Sequence, residues 1–165
     1  MLLSVRRIIV VLQIVLISSS TLAAANTVRL KNFVPGAYSI AEGVGRDCRD
    51  EEFKIIPDTQ RLLLGPYHLL SIVPRSETIK NGLSALKGCV SDVSETVETQ
   101  GRNTVLTMKE TLKCGAKTRY VLTETATINK TRVALDVSKV NGDDSDETTP
   151  NYAFHCVWKK KRSGQ

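Results

Sequence analysis

Cys89 and Cys114 bracket a stretch that reverses at Gly101-Arg102, and the place of that reversal decides which side chains face one another. A two-residue loop with glycine first fits a type II′ turn, whose first central position needs a positive φ. Closing the chain there sets Gln100 opposite Asn103 and, counting outward, Cys89 opposite Cys114. The same register puts Val93, Glu95 and Val97 against Glu110, Met108 and Leu106 on one face. On the other face Ser94, Thr96 and Glu98 meet Lys109, Thr107 and Val105. A mainly apolar side and a mainly polar side describe a strand pair with one face on a core and the other in water. Cys89 and Cys114 form a non-hydrogen-bonded pair, where the backbones approach to about 4.5 Å and a cross-strand bridge can close.

The chain has 4 cysteines and no C-x-x-C, which in an exported protein reads as two disulfides rather than a metal or redox motif. The hairpin assigns Cys89 to Cys114 and leaves Cys48 to Cys156. Export is expected from residues 1–25, where Arg6 and Arg7 precede the apolar run Ile8 to Ile17 and Ala23-Ala24-Ala25 offers a cleavage site before Asn26. That run is about half the ~20 residues a membrane span needs. With no cysteine near the cleavage site, a general secretory route to the periplasm or the exterior is expected, and no membrane span. Residues 26–165 then form a single disulfide-stabilised β domain.

Without Arg6 and Arg7, 21 of the 23 basic residues stand against 17 acidic ones, a net of +4. So mild a balance on an exported chain excludes a nucleic-acid binder. The one basic run, Lys159-Lys160-Lys161-Arg162, reads as a solvated tail guarding the last strand from edge pairing, with contact to an anionic surface as the other reading.

Strands are expected at Gly36 to Glu42, Phe53 to Ile56, Arg61 to Leu64 and Tyr67 to Val73. The turn Pro57-Asp58-Thr59-Gln60 sets Phe53 opposite Leu64 and Ile55 opposite Leu62. Residues 75–88 are polar with two glycines and read as a loop or one helical turn. Beyond Cys89, Tyr120, Leu122, Ala126 and Ile128 keep period two after a three-residue loop Gly115-Ala116-Lys117. Asn129-Lys130 reads as a two-residue turn into Val133, Leu135 and Val137. An acidic loop, residues 141–150, leads to a last strand with Tyr152, Phe154, Cys156 and Trp158 on one side.

Eight or nine strands in sequential hairpins make an all-β antiparallel meander. A bridge tying its ends predicts closure into an up-and-down barrel, with an open β-sandwich as the alternative. The architecture resembles the lipocalin-type calycins, and Gly36-Ala37-Tyr38 stands where lipocalins carry G-x-W, with Tyr in place of Trp.

Little catalytic chemistry is visible. His68 and His155 stand alone on separate strands, too few for a zinc site when the thiols are oxidised. There is no G-x-S-x-G elbow, and Gly43-Val44-Gly45 lacks a nucleotide-loop context. Asp143-Asp144-Ser145-Asp146-Glu147 lacks the EF-hand spacing. No metal, cofactor or enzymatic activity is expected. Asn129-Lys130-Thr131 is a glycosylation sequon at a hairpin tip, expected to be unmodified.

The anomaly is carboxylates on the inner face. Continuing the registers places Glu95, Met108 and Glu124 in one row and Glu110 in the next. A buried, unpaired carboxylate is costly, so a wet position near an open barrel end or a register shifted by one is the first reading. Pairing with Lys or Arg, or a polar pocket for a cationic or hydrogen-bonding ligand, is the second. The function expected is non-enzymatic binding, in one of two forms. Either the barrel holds a small amphiphilic or apolar molecule on Glu95, Leu106, Met108, Glu110, Leu122 and Glu124, with Val97 and Leu135 in the lining. Or the interior is filled, and the loops at 75–88 and 141–150 engage a secreted protein, as an inhibitor would.

Overall fold

A computed structural model of the chain describes residues 30, 33–43, 48–80, 88–142 and 150–161. The expected signal at 1–25, most of Gly43-Val44-Gly45 and the acidic run 143–147 lie outside the described residues.

Ten antiparallel strands form one sheet: β1 (Gly36–Glu42), β2 (Glu51–Ile56), β3 (Arg61–Leu64), β4 (His68–Ser71), β5 (Arg75–Lys80), β6 (Cys89–Gln100), β7 (Asn103–Cys114), β8 (Lys117–Ile128), β9 (Arg132–Asn141) and β10 (Tyr152–Lys160). Their order is β4-β3-β2-β1-β10-β9-β8-β7-β6-β5. The sheet curls into a nearly closed barrel. First and last strands pair, Tyr38 with Lys160 and Ile40 with Trp158, so the seam lies between β4 and β5.

The central hairpin has the expected register throughout, from Gln100↔Asn103 to Cys89↔Cys114. Gly101 has φ +63° while Arg102 is not in the positive region, as a II′ turn requires. Phe53 faces Leu64 and Ile55 faces Leu62, also as expected. Both disulfides are those derived from the hairpin, Cys89–Cys114 and Cys48–Cys156.

Several local expectations are corrected. Residues 75–80 are a strand, because the free backbone of β6 offers six residues of ladder, Arg75↔Glu95 to Lys80↔Val90, and pairing overrides a polar composition. The β7–β8 loop has two residues, Gly115-Ala116, and a bulge between Leu112 and Lys113 restores the alignment Met108↔Glu124. The β8–β9 connection has three residues, Asn129-Lys130-Thr131, and Ile128 faces Val133. There Asn129 Oδ1 accepts from the backbone N–H of Thr131 and of Arg132, at 3.1 and 2.9 Å. A shift of two residues keeps the same side chains inside. β4 is shorter than the Tyr67 to Val73 run, spanning His68–Ser71. Lys159 and Lys160 belong to β10, an interior strand, and Lys161 pairs with Asp50 at 2.9 Å, so this run is no tail guarding an edge.

The core gathers where β1, β2, β3 and β10 meet. Phe53 packs edge-on against Trp158 at 5.2 Å between ring centres and stacks on Tyr38 at 4.6 Å. Trp158 Nε1 donates to the Arg49 carbonyl at 2.7 Å, and the Tyr38 hydroxyl to the Val34 carbonyl at 2.8 Å, so both polar tips are satisfied. Gly43, with φ +110°, brings its backbone against the outer disulfide: a Cβ there would lie 2.5 Å from the His155 oxygen and 2.8 Å from Cys48 Sγ.

The chain-entropy model ranks the two bridges. Cys89–Cys114 closes a separation of 25 residues and Cys48–Cys156 one of 108. The first is worth about 3.5 kcal/mol and the second about 4.8. The Cys48→Ala/Cys156→Ala variant should therefore unfold at lower urea than Cys89→Ala/Cys114→Ala, by roughly 1 kcal/mol in extrapolated stability.

Candidate functional site

The long strands β6 to β10 present successive cross-strand rows to the interior. Val97, Leu106, Ala126, Leu135 and Cys156 form one row; Thr104, Ile128, Val133 and Trp158 form the next toward the hairpin tips. All but Val97 are buried, and with Tyr38, Phe53, Leu62 and Leu64 they fill this half of the barrel. Toward the other end comes the row Glu95, Met108, Glu124, Val137 and Phe154, followed by Val93, Glu110, Leu122, Lys139 and Tyr152. In that row every member is at least partly exposed, and beyond it Ser91 and Leu112, which face each other, are buried again at 4% and 2%. Burial thus dips at this row, where β3 and β4, each 4 residues long, do not reach along the whole of β6, β7 and β8, each 12. The short strands cover only part of the long ones. The band left partly covered, at Met108, Glu110 and Leu122, is the cup.

Glu95 and Glu124 lie inside, at 3% and 7% exposure, in the expected register. The reading that placed them in water or shifted them by one is corrected: they are paired. Glu95 accepts from Arg61 through both oxygens, Nη1 to Oε1 at 3.4 Å and Nη2 to Oε2 at 3.2 Å. The Ser71 backbone N–H reaches Oε1 at 3.0 Å, and Arg75 Nε stands 3.7 Å from Oε2. One carboxylate therefore joins β3, β4, β5 and β6 across the seam. Glu124 meets His68 Nδ1 at 3.2 Å, and the His68 ring leans on Phe154 at 5.7 Å. This pair forms the floor of the cup.

Glu110 belongs to the cup wall. Its Oε1 accepts from the Ser91 hydroxyl at 2.7 Å and from the Tyr120 hydroxyl at 3.1 Å. Burial, then the negative charge of Glu110 and its hydrogen bond, push the Tyr120 phenol up to about 12. Lys139 Nζ lies 4.9 Å from the centre of the same ring.

The six residues expected at a ligand site thus separate. Met108, Glu110 and Leu122 face the cup; Leu106 is sealed in the core; Glu95 and Glu124 are engaged by Arg61, Arg75 and His68. Sequence reasoning missed Arg61, Arg75 and His68 as partners. For Arg75 the signal was present, since it lies directly across from Glu95 once 75–80 is read as a strand.

Two depressions lie elsewhere. One of about 590 Å³ sits at the hairpin tips, among Arg102, Asn103, Asn129, Lys130 and Thr131. One of about 470 Å³ lies on Thr123, Thr125, Ser138 and Ala153, with Val137 and Phe154 also at its wall, beside the pair His155 and Asp136, 2.6 Å apart. Neither includes a residue expected to hold ligand. Among the described residues no group of three or more His, Cys, Asp or Glu is arranged to hold a metal ion, and no helix is long and apolar enough to cross a membrane. No family model, no curated protein and no solved structure matches the chain.

Removing Glu95 leaves a guanidinium that is 18% exposed and a buried N–H without their acceptor. Glu95→Ala should cost about 3 kcal/mol in urea unfolding, and Glu95→Leu combined with Arg61→Met should recover at least half of it. Tyr120 makes a second prediction. A phenol in the unfolded chain ionises near 10. The folded chain keeps its proton up to about 12, so the protonated phenol's stabilisation is complete below pH about 10 and is lost as pH rises through 12. Ultraviolet titration should show a phenolate step near pH 12 that Tyr120→Phe lacks.

Proposed function

We propose that this chain is a non-enzymatic binding protein that takes a small amphiphilic molecule into the cup of its barrel. The observation that carries this reading is the drop in burial from the sealed row at Leu106 to the half-buried row at Leu122, before the inner face is buried again at Ser91 and Leu112. A barrel filled to both ends would bury both rows alike. Met108, Leu122 and Phe154 supply apolar wall, Glu110 a polar contact, and the His68–Glu124 pair a fixed floor. Walls of this kind, mostly apolar with a few placed polar groups, are what small-molecule sites share.

The setting agrees. Two disulfides indicate an oxidising, extracytoplasmic environment. In this reading residues 1–25 direct export and are removed near Ala25, leaving the barrel periplasmic or secreted.

A second reading, docking of a secreted protein, is favoured by β5. All six of its residues are exposed, and Ile79 is 47% exposed beside a free strand edge.

The two readings separate at Met108, which is the only methionine besides Met1. In the mature protein its methyl carbon gives a single resonance. Titration with octyl amphiphiles should move that resonance saturably, and ligand at 100 times its Kd should add about 2.7 kcal/mol to thermal stability. Shifts confined to β5 amides on adding candidate protein partners, with Met108 unmoved by every amphiphile, would reject the cup in favour of the edge.

A further inference from the structure

We infer that the polar end of the ligand is an ammonium group, bound by Glu110. This rests on the cup reading and deepens it. Among the described residues the inner face carries three carboxylates, and two have nitrogen partners of their own: Glu95 has the guanidinium groups of Arg61 and Arg75, and Glu124 has the His68 ring nitrogen. Glu110 has hydroxyls instead. Both Ser91 and Tyr120 donate to its Oε1, and among the described residues no side chain donates to Oε2 and no cation stands within ion-pair distance of the group. A half-buried carboxylate with two fixed neutral donors and one open oxygen is an acceptor prepared for a charged donor.

The surroundings select the rest of the molecule. Leu122 is the direct cross-strand neighbour of Glu110, and Met108 lies two residues along the same strand face, so hydrocarbon attached to the ammonium has apolar wall at once. Tyr120, which donates to Glu110, already draws a cation to its ring in Lys139. An anionic head group would instead enter beside Glu110 and above Glu124, with Lys139 as its one attraction. The ligand class is therefore a primary amine carrying an apolar chain.

Three eight-carbon probes, octylammonium, octanol and octanoate, test this at neutral pH through the Met108 methyl resonance and calorimetry. Octylammonium should bind at least tenfold more tightly than octanol. Glu110→Gln, which keeps an oxygen for Ser91 and Tyr120, should abolish that advantage and leave octanol affinity as it was, which also shows that the variant is folded. Lys139→Gln should strengthen octylammonium binding by removing a like charge. Octanoate binding most tightly and losing affinity in Lys139→Gln would overturn the ammonium assignment while keeping the cup. So would an octylammonium affinity that Glu110→Gln does not change. If none of the three probes binds, the cup itself fails, and this inference with it.

Discussion

Glu95 stands where the sheet has no backbone ladder to hold it together. β4 and β5 share no pairing, and a curled sheet with two free ends would tend to splay. The carboxylate replaces that ladder. It takes two donors from β3, one backbone N–H from β4 and an ion pair from β5, all while anchored on β6. A buried ion pair is weak evidence for stability as such, because desolvation offsets the attraction. Its geometric effect is different: only one arrangement of the four strands satisfies every group. With its head thus engaged, Glu95 leaves the interior chemistry to Glu110 and the residues around it.

The barrel differs along its length. The half with Tyr38, Phe53 and Trp158 is packed, tied by a disulfide and closed by hydrogen bonds from both aromatic tips. The half with Tyr120, Leu122 and Glu110 is built from strands that outreach their neighbours. Between them lies a layer of paired polar groups, Arg61–Glu95 and His68–Glu124, which separates the apolar core from the cup. Rigid floor and partly wet walls suit recognition by a few placed groups.

Much of this is readable from residues alone. Gly101 and the two inner thiols set one register, and period two carried it from β6 to β9, so every inner-face carboxylate was correctly located. What they met there was not readable. Arg61 and His68 reach Glu95 and Glu124 across the barrel, and contacts across a lumen depend on curvature, which alternation does not encode. β5 was missed because Arg-Ser-Glu-Thr-Ile-Lys has no apolar period and is a strand only by virtue of β6 beside it. The bulge at Lys113 and the Asn129 turn altered loop lengths without changing the face inside, since each correction preserved parity.

The placement of β10 has a consequence for how the molecule is made. Strand β10 sits between β1 and β9, so the sheet formed by β1 to β4 has nothing to join until β10 has been made. Cys48 is made well before Cys156, and Cys89 is the first thiol that follows it in the chain. A long-range topology of this kind assembles slowly and exposes unpaired strands meanwhile. Thiol exchange that undoes an early Cys48–Cys89 pairing therefore favours the native bridges over the order in which the thiols are made.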